Sequence, residues 1–169
     1  MGDKANAGDS RHTARIRKGN TKRELLEAGL VVQNRNGGLY DKFRNRLMLP
    51  VVDTRGDVVA FGSRVLDGSE PKYMNSPETP VYSKRRVLYG LNLAKKTKRP
   101  NIILCEGNLD IVTLHQAGFD NAVASMGTAL TVEQTRRLSR FTKEPVLCYD
   151  TDNACLLNPS AAPDADPVV

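Results

Sequence analysis

The sequence predicts a chain of α+β and α/β character, a small basic, mostly antiparallel unit followed by a parallel βαβαβ unit. Three observations carry this expectation. Short β-branched runs separated by strong turn residues fill the stretch from Leu30 to Phe61, the pattern of hairpins. From Asn101 onward, strand-like and helix-like segments alternate at the spacing of right-handed crossovers. Two of those later strands, Ile102-Ile103-Leu104-Cys105 and Val146-Leu147-Cys148-Tyr149, run straight into carboxylates. In a parallel sheet such strand ends open onto a common crevice where ligands bind.

The elements follow in order. Residues 1–20 lack a hydrophobic period and are rich in Gly, Asn, Arg and Lys, so they are expected to be a disordered basic arm. Thr21-Lys22-Arg23-Glu24 is a capping box that starts a short helix, with Leu25, Leu26 and Ala28 on or near the core and Gly29 as its stop. Val31-Val32 then reads as extended, Asn34-Arg35-Asn36-Gly37-Gly38 as a turn, and Arg46 to Val52 as the next strand. Asp53-Thr54-Arg55-Gly56-Asp57 is a hairpin turn returning into Val58-Val59-Ala60-Phe61. Lys42, Arg44 and Arg46 alternate, and on a strand they would share one face.

Residues 66–90 read as irregular, because Gly68, Pro71, Pro77 and Pro80 interrupt any period. The segment nonetheless holds Lys72, Tyr73, Asn75, Lys84, Arg85 and Arg86. Cations interleaved with tyrosine suit phosphates and bases; an exposed connecting loop accounts for the same composition. Leu88 to Lys98 reads as a helix ended by Pro100. The basic unit thus spans 21–100. The second unit, 101–154, is expected to run strand 102–105, helix 108–117, strand 122–125, helix 131–141 and strand 146–149. Thr131-Val132-Glu133-Gln134 caps the second of those helices, with Val132, Leu138 and Phe141 toward the sheet and Arg136, Arg137 and Arg140 outward. Residues 155–169 form a Pro/Ala/Asp tail expected to be disordered.

Charge divides along the same line. Residues 1–99 carry 21 Lys and Arg against 10 Asp and Glu, and residues 100–169 carry 4 against 9. A basic half joined to an acidic half suits a polyanion on one side and cations held on the other, although a solvated surface with a basic tail gives the same totals. No apolar run approaches the roughly 18 residues of a membrane span and the N-terminus is polar, so a cytoplasmic, membrane-free protein is expected. The three cysteines form no C-x-x-C pair, which supports neither a disulfide framework nor a zinc site. Cys105 and Cys148, inside apolar runs, are expected as buried core thiols.

Glu106, Asp150 and Asp152 form an oxygen-only ligand set of the kind Mg²⁺ prefers, with the small Thr151 between the two aspartates. Asp110, one helical turn after Glu106, reads either as a water-mediated partner of the ion or as an acid favoured at a helix N-terminus. No His or Cys pairs with these acids in the manner of a zinc hydrolase or thiol nucleophile, and His115 reads as a partly buried helix residue.

Glu106-Gly107-x-x-Asp110, Val123-Ala124-Ser125-Met126-Gly127-Thr128 and Asp150-x-Asp152 together resemble the TOPRIM module of primases and topoisomerases. Tyr40 to Pro50, Pro71 to Thr79 and Leu88-Tyr89-Gly90-Leu91 narrow the resemblance to bacterial replicative DNA primases of the DnaG type, over roughly Thr21 to Ala154. The resemblance implies a nucleotidyltransferase that joins ribonucleoside triphosphates into RNA primers on single-stranded DNA, using Mg (or Mn). It implies that Glu106, Asp150 and Asp152 bind the metal, with Asp110 beside them. It further implies that Arg44 and Arg46 lie in a basic motif, that Lys72 and Lys84 lie near nucleotide and template, and that Asn75 sits in the nucleotide-side loop. Asn108 stands where the family is normally aromatic. The family's N-terminal zinc module and C-terminal domain for the replicative helicase are not expected in this chain, which reads as a truncated core in which no zinc is expected. The alternatives are a non-catalytic nucleic-acid-binding fragment and another TOPRIM enzyme, a nuclease or topoisomerase.

Overall fold

A computed structural model describes residues 18–126 and 129–149. The chain begins with α1 (Lys22–Glu27), started by Thr21, whose hydroxyl accepts from the Glu24 N–H while the Glu24 carboxylate accepts from the Thr21 N–H at 2.7 Å. The capping box is formed as the sequence predicts. Leu25 is buried, whereas Leu26 stays outside the core.

Next come β1 (Val31–Gln33) and β2 (Leu39–Asp41), an antiparallel ribbon. Its turn is built on Asn34, whose Oδ1 accepts from the N–H groups of Asn36 and Gly38. A separate antiparallel sheet holds β3 (Arg46–Val52), β4 (Val58–Val65) and β5 (Tyr73–Asn75) in that order. Asp53 Oδ1 gathers the N–H groups of Arg55, Gly56 and Asp57 to make the β3–β4 turn. Pro50 is accommodated because β3 is an edge strand, where a missing donor costs no ladder bond on the open side.

After a four-residue helix, α2 (Leu91–Ala94), the second unit is wound as β6 (Ile102–Cys105), α3 (Asn108–Gln116), β7 (Ala122–Ala124), α4 (Val132–Leu138) and β8 (Pro145–Cys148). The three strands are parallel in the order β7-β6-β8. Alternation along β6 sends Ile102 and Leu104 to a core with Leu88, Leu91, Ala94 and Leu138, and Cys105 to a core with Ile111 of α3. Helices therefore cover both faces, and the carboxyl ends of the strands are left open as a crevice. Among the described residues no helix is long and apolar enough to cross a membrane.

The two units are joined by two contacts. Tyr89 and Ala124 form an antiparallel bridge, each N–H bonding the other's carbonyl at 2.8 and 3.0 Å. Val51 and Ala60 from the first unit pack with Tyr82, Val87 and Met126. Between these contacts the chain turns at Gly90, at φ 82°, where an added Cβ would meet Ile111 Cγ2 at 2.8 Å and the Ala122 carbonyl at 3.0 Å. Both the left-handed backbone and the lack of space demand glycine.

Several sequence expectations need correction. Residues 42–45 form the turn between β2 and β3, not a strand, so Lys42, Arg44 and Arg46 share no strand face; the left-handed Asn45 (φ 49°) breaks the alternation. The helix expected over Leu88–Lys98 is cut to Leu91–Ala94, since residue 90 is left-handed and Tyr89 is taken by its bridge. The irregular 66–90 segment contains β5, made possible because Tyr73 to Asn75 finds a partner in β4. The helix expected over 131–141 ends at Leu138, so Phe141 lies beyond α4; Phe141 and Val132 are half-exposed, and Gln134 is buried beside Leu138. Cys148 is exposed although its run is apolar, because the packed helices that bury β7, the other edge strand, do not extend over β8, whose residues are all exposed. The arm over 1–17 and the tail from 150 lie outside the described residues.

Gly90→Ala is expected to lower unfolding free energy by about 2–4 kcal/mol, combining a left-handed backbone cost with overpacking. Urea denaturation checks this, and a loss under about 1 kcal/mol would show that the junction can yield.

Candidate nucleic-acid and metal interface

The crevice between the two units is built on one face of the β3–β4–β5 sheet. Residues in register across a pair share a face, so that face carries, from one end to the other, Val51 with Ala60, then Leu49 with Gly62 and Asn75, then Leu47 with Arg64 and Tyr73. The first pair is core. The second row meets the start of α3 in a cleft of about 370 Å³ whose lining includes Leu49, Asn75, Glu106, Asn108, Asp110 and Met126. Gly62 is required here by approach: a Cβ would lie 2.6 Å from Asn108 Nδ2 and 3.1 Å from Asn75 Oδ1.

Glu106 sits where β6 ends and is exposed. Gly107 then turns the chain into α3, its N–H donating to Asp110 Oδ2 at 3.1 Å. Asp110 is thus the helix-N-terminal acid that one of the two sequence readings describes, and it also lines the cleft. Asn75 reaches across to donate to the Met126 carbonyl at 3.3 Å. Met126 is left-handed, φ 66°, a conformation uncommon for a non-glycine residue. Asn108 Oδ1 is buried without a hydrogen-bond partner in the same cleft.

At the mouth stands Tyr73, with the Arg64 guanidinium 5.4 Å and Lys72 Nζ 5.7 Å from its ring centroid. Two cations against one aromatic ring make a surface for phosphates and bases. Beyond it, Arg44 lies 5.1 Å over Tyr40, and Arg46 Nη1 is buried without a hydrogen-bond partner. Asn45 Nδ2 donates to Asp67 Oδ2 at 2.6 Å, fixing the arginine turn to the loop that leads toward Lys72.

Lys84 is placed through its backbone. Its N–H donates to Glu78 Oε1 at 2.8 Å, and its carbonyl accepts from Gln134 Nε2 at 2.9 Å. The same Gln134 amide nitrogen also reaches the carbonyls of Val87 (2.9 Å) and Ser125 (3.3 Å), while Gln134 Oε1 accepts from the Thr131 N–H. Thr131 Oγ1 donates to the Arg85 carbonyl at 2.5 Å. The capping box of α4 therefore holds the cation-bearing loop as well as its own helix end.

Electrostatically, burial pushes the Cys105 thiol up to about 12, with the neighbouring Cys148 and Asp110 adding to the effect. Cys105 is thus a packed neutral side chain beneath Glu106.

Of the residues singled out in the sequence, the cleft brings together Glu106, Asp110 and Asn75, with Lys72 at its mouth. Arg44, Arg46 and Lys84 lie on the surrounding surface, and Asp150 and Asp152 lie outside the described residues. Sequence reasoning missed Arg64, Asn108 and Gln134 as parts of the site. A signal existed for Arg64, since Gly62-Ser63-Arg64 interrupts an otherwise apolar strand.

Comparison with known proteins identifies what shares this arrangement. The family model for the DNA primase catalytic core, N-terminal domain, matches residues 4–95, and that for the Toprim domain matches 101–154. The chain belongs to the DNA primase family. It is 52% identical over 138 residues to the DNA primase of Clostridium acetobutylicum, covering 81% of this chain and 23% of that protein. Among solved structures it matches a DNA primase domain from Pseudomonas aeruginosa, 46% identical with TM-score 0.73, over 78% of this chain and 42% of that one. It also matches the RNA polymerase domain of Mycobacterium tuberculosis primase DnaG in complex with a DNA oligomer bearing a 6-nucleotide overhang. That match is 39% identical with TM-score 0.78, over 86% of this chain and 49% of that one. The chain spans about a quarter or less of the curated primases it matches. The mixed fold, antiparallel sheets followed by a parallel three-stranded sheet, agrees with that of solved primase cores.

Gln134→Leu keeps the volume but strands one N–H and several carbonyls; an expected loss of at least about 2 kcal/mol follows from the cost of unmade buried bonds. Val132→Ala, at a half-exposed site, is expected to change stability by no more than about 0.5 kcal/mol. Chemical denaturation of the two variants checks the pair, and equal losses would contradict the clamp.

Proposed function

We propose that this chain is the part of a primase core that gathers single-stranded DNA template, ribonucleoside triphosphate and divalent metal for RNA primer synthesis by nucleotidyl transfer. The observation that carries this reading is the cleft itself. Acids at a parallel strand end face an amide and a cation–tyrosine cluster across a gap of nucleotide scale. The M. tuberculosis relative, solved with a DNA oligomer carrying a single-stranded overhang, supports nucleic acid as the occupant of the basic surface.

The donor chemistry fits a hard cation. Glu106 is an exposed carboxylate at the crevice, Asp110 lines the same cleft, and Asp150 and Asp152 complete an oxygen-only set by sequence. Glu106, Asp150 and Asp152 would hold Mg²⁺ or Mn²⁺, with Asp110 as a capped, pre-oriented neighbour. When bound, such ions supply charge neutralisation at the attacking and leaving oxygens. The protein's own contribution is positioning. Tyr73 offers a ring for a base or ribose, Arg64 and Lys72 flank it as phosphate partners, and Arg46 carries a buried Nη1 ready for an anionic oxygen. Asn75 holds the turn at Met126, so the cleft wall keeps its shape when ligand enters.

Two measurements test the reading on the chain itself. Mn²⁺ titration followed by electron paramagnetic resonance is expected to weaken by roughly tenfold or more in Glu106→Gln, at least the scale of losing an outer-sphere support. Unchanged Mn²⁺ affinity would remove Glu106 from the metal site. For Lys72→Ala, single-stranded DNA affinity is expected to fall, and the slope of log K against log salt to shrink by about 0.7, one phosphate contact's worth. An unaltered slope would take Lys72 off the DNA path. Template binding without any primer synthesis on added nucleotides would assign the chain binding alone.

A further inference from the structure

Cys105 and Cys148 end the neighbouring parallel strands β6 and β8 and stand directly in register. Side chains in register on adjacent strands leave the sheet on the same face, here the α3 face, where Cys105 packs with Ile111 and Ala124. Cys148 is close enough to Cys105 to add to the upward push on its thiol. Their accessibilities differ sharply: Cys105 is 1% exposed and Cys148 is exposed on the edge strand. An oxidant in solution therefore meets Cys148, and Cys105 has Cys148 beside it.

We propose that Cys105 and Cys148 are a reversible oxidation site that takes a peroxide and closes to an intramolecular disulfide across the two strand ends. In the first step the Cys148 sulfur attacks one peroxide oxygen; the S–O bond forms, the O–O bond breaks, and the thiol proton leaves with the departing oxygen as water. In the second, the Cys105 sulfur attacks the Cys148 sulfenic acid; the S–S bond forms, the S–O bond breaks, and a second water departs with the Cys105 proton. Two thiols are oxidised by two electrons and one peroxide is reduced to two waters. A dithiol reductant reverses the change.

The strand spacing allows the bond and makes it labile. Adjacent strands lie about 4.8 Å apart, within the Cα range of disulfides, but a disulfide wants its Cβ atoms at about 3.5–4.5 Å. Closing it draws the ends of β6 and β8 together, and bonds formed under such strain are the readily reduced, regulatory kind. Glu106 follows Cys105 directly and Asp150 follows Cys148 by two residues. The consequence for metal binding rests on the function proposed above: oxidation repositions the acids and weakens their hold on the ion.

The third cysteine, Cys155, is removed by Cys155→Ser so that it cannot compete. The full chain carrying that change is treated with hydrogen peroxide, then denatured, alkylated and digested without reductant. The expected result is a mass two hydrogens lower, a peptide pair linking Cys105 to Cys148, and full reversal by dithiothreitol. Cys148→Ser in the same background is expected to abolish the mass change. Two free thiols after peroxide, or a Cys148–Cys148 link between chains, would overturn the proposal. Mn²⁺ affinity is expected to fall by roughly tenfold in the oxidised chain; equal affinity in both states would overturn the control of metal binding. Absence of Mn²⁺ binding in the reduced chain would instead overturn the metal site, with the disulfide result standing on its own.

Discussion

The structure depends on a single buried amide. Gln134 lies fully inside the protein and connects three stretches of backbone: the sequence-distant loop at Lys84 and Val87, the end of β7 at Ser125, and the start of its own helix at Thr131. Loop carbonyls brought to the edge of a core lose water and must find donors. A leucine of equal volume supplies packing and no donor, so the loop would have to move outward to stay hydrated. The amide resolves that conflict in place, and it does so where the basic unit and the parallel sheet meet. Salt bridges do much less here. The Arg85–Glu133 pair, 3.7 Å apart and exposed on both sides, is of the kind worth little in water.

What was legible in the sequence was local or periodic. Both Ser/Thr-type capping boxes could be read because the partners are three residues apart, and the strand ends, Cys105 as expected and Cys148 one residue short of the expected Tyr149, because an apolar run stops abruptly. The crossover spacing gave the parallel sheet, and turn residues gave the β3–β4 hairpin. Gln134 marks where local pattern ends. Its Oε1 acts locally and was recognised as a capping signature, but its nitrogen acts on carbonyls up to 50 residues away. No period reveals such bonds, so hydrophobicity points to Val132, Leu138 and Phe141 as the buried face, and of these only Leu138 is buried. Cys148 fails for a related reason: apolar composition marks a strand, while burial depends on whether another element lies over it. The alternation of Lys42, Arg44 and Arg46 is real in sequence and lost in space, since a single left-handed residue, Asn45, removes the period-2 geometry.

The candidate site was half legible. Acids at strand ends announce a crevice by topology alone. The opposing wall does not, because Asn75, Arg64 and Tyr73 reach the cleft through strand register between β4 and β5, and β5 is too short to be seen before its partner is known. The charge division between the halves of the chain fits this arrangement, with cations on the antiparallel wall and carboxylates on the parallel one. The chain belongs to the DNA primase family, and the geometry shows how the gap between the two walls is kept.

That gap is held by continuity, since one sheet face serves as both core and site. Along it, Val51 and Ala60 are buried against Met126, the next row leaves the Gly62 position bare so that Asn75 and Asn108 approach, and the last row ends in Arg64 and Tyr73. A shift of the sheet relative to α3 that opened the cleft would therefore also unpack the Val51–Met126 contact. Core packing is dense and intolerant of small displacements, so the apolar end of the face fixes the polar end. Met126 belongs to both: its side chain is core, and its carbonyl, turned by a left-handed backbone, is the acceptor for Asn75. The backbone strain at this residue is sustained by packing on one side and a cross-unit hydrogen bond on the other. This explains why an uncommon conformation persists at a point where the two walls of the cleft are hydrogen-bonded to each other.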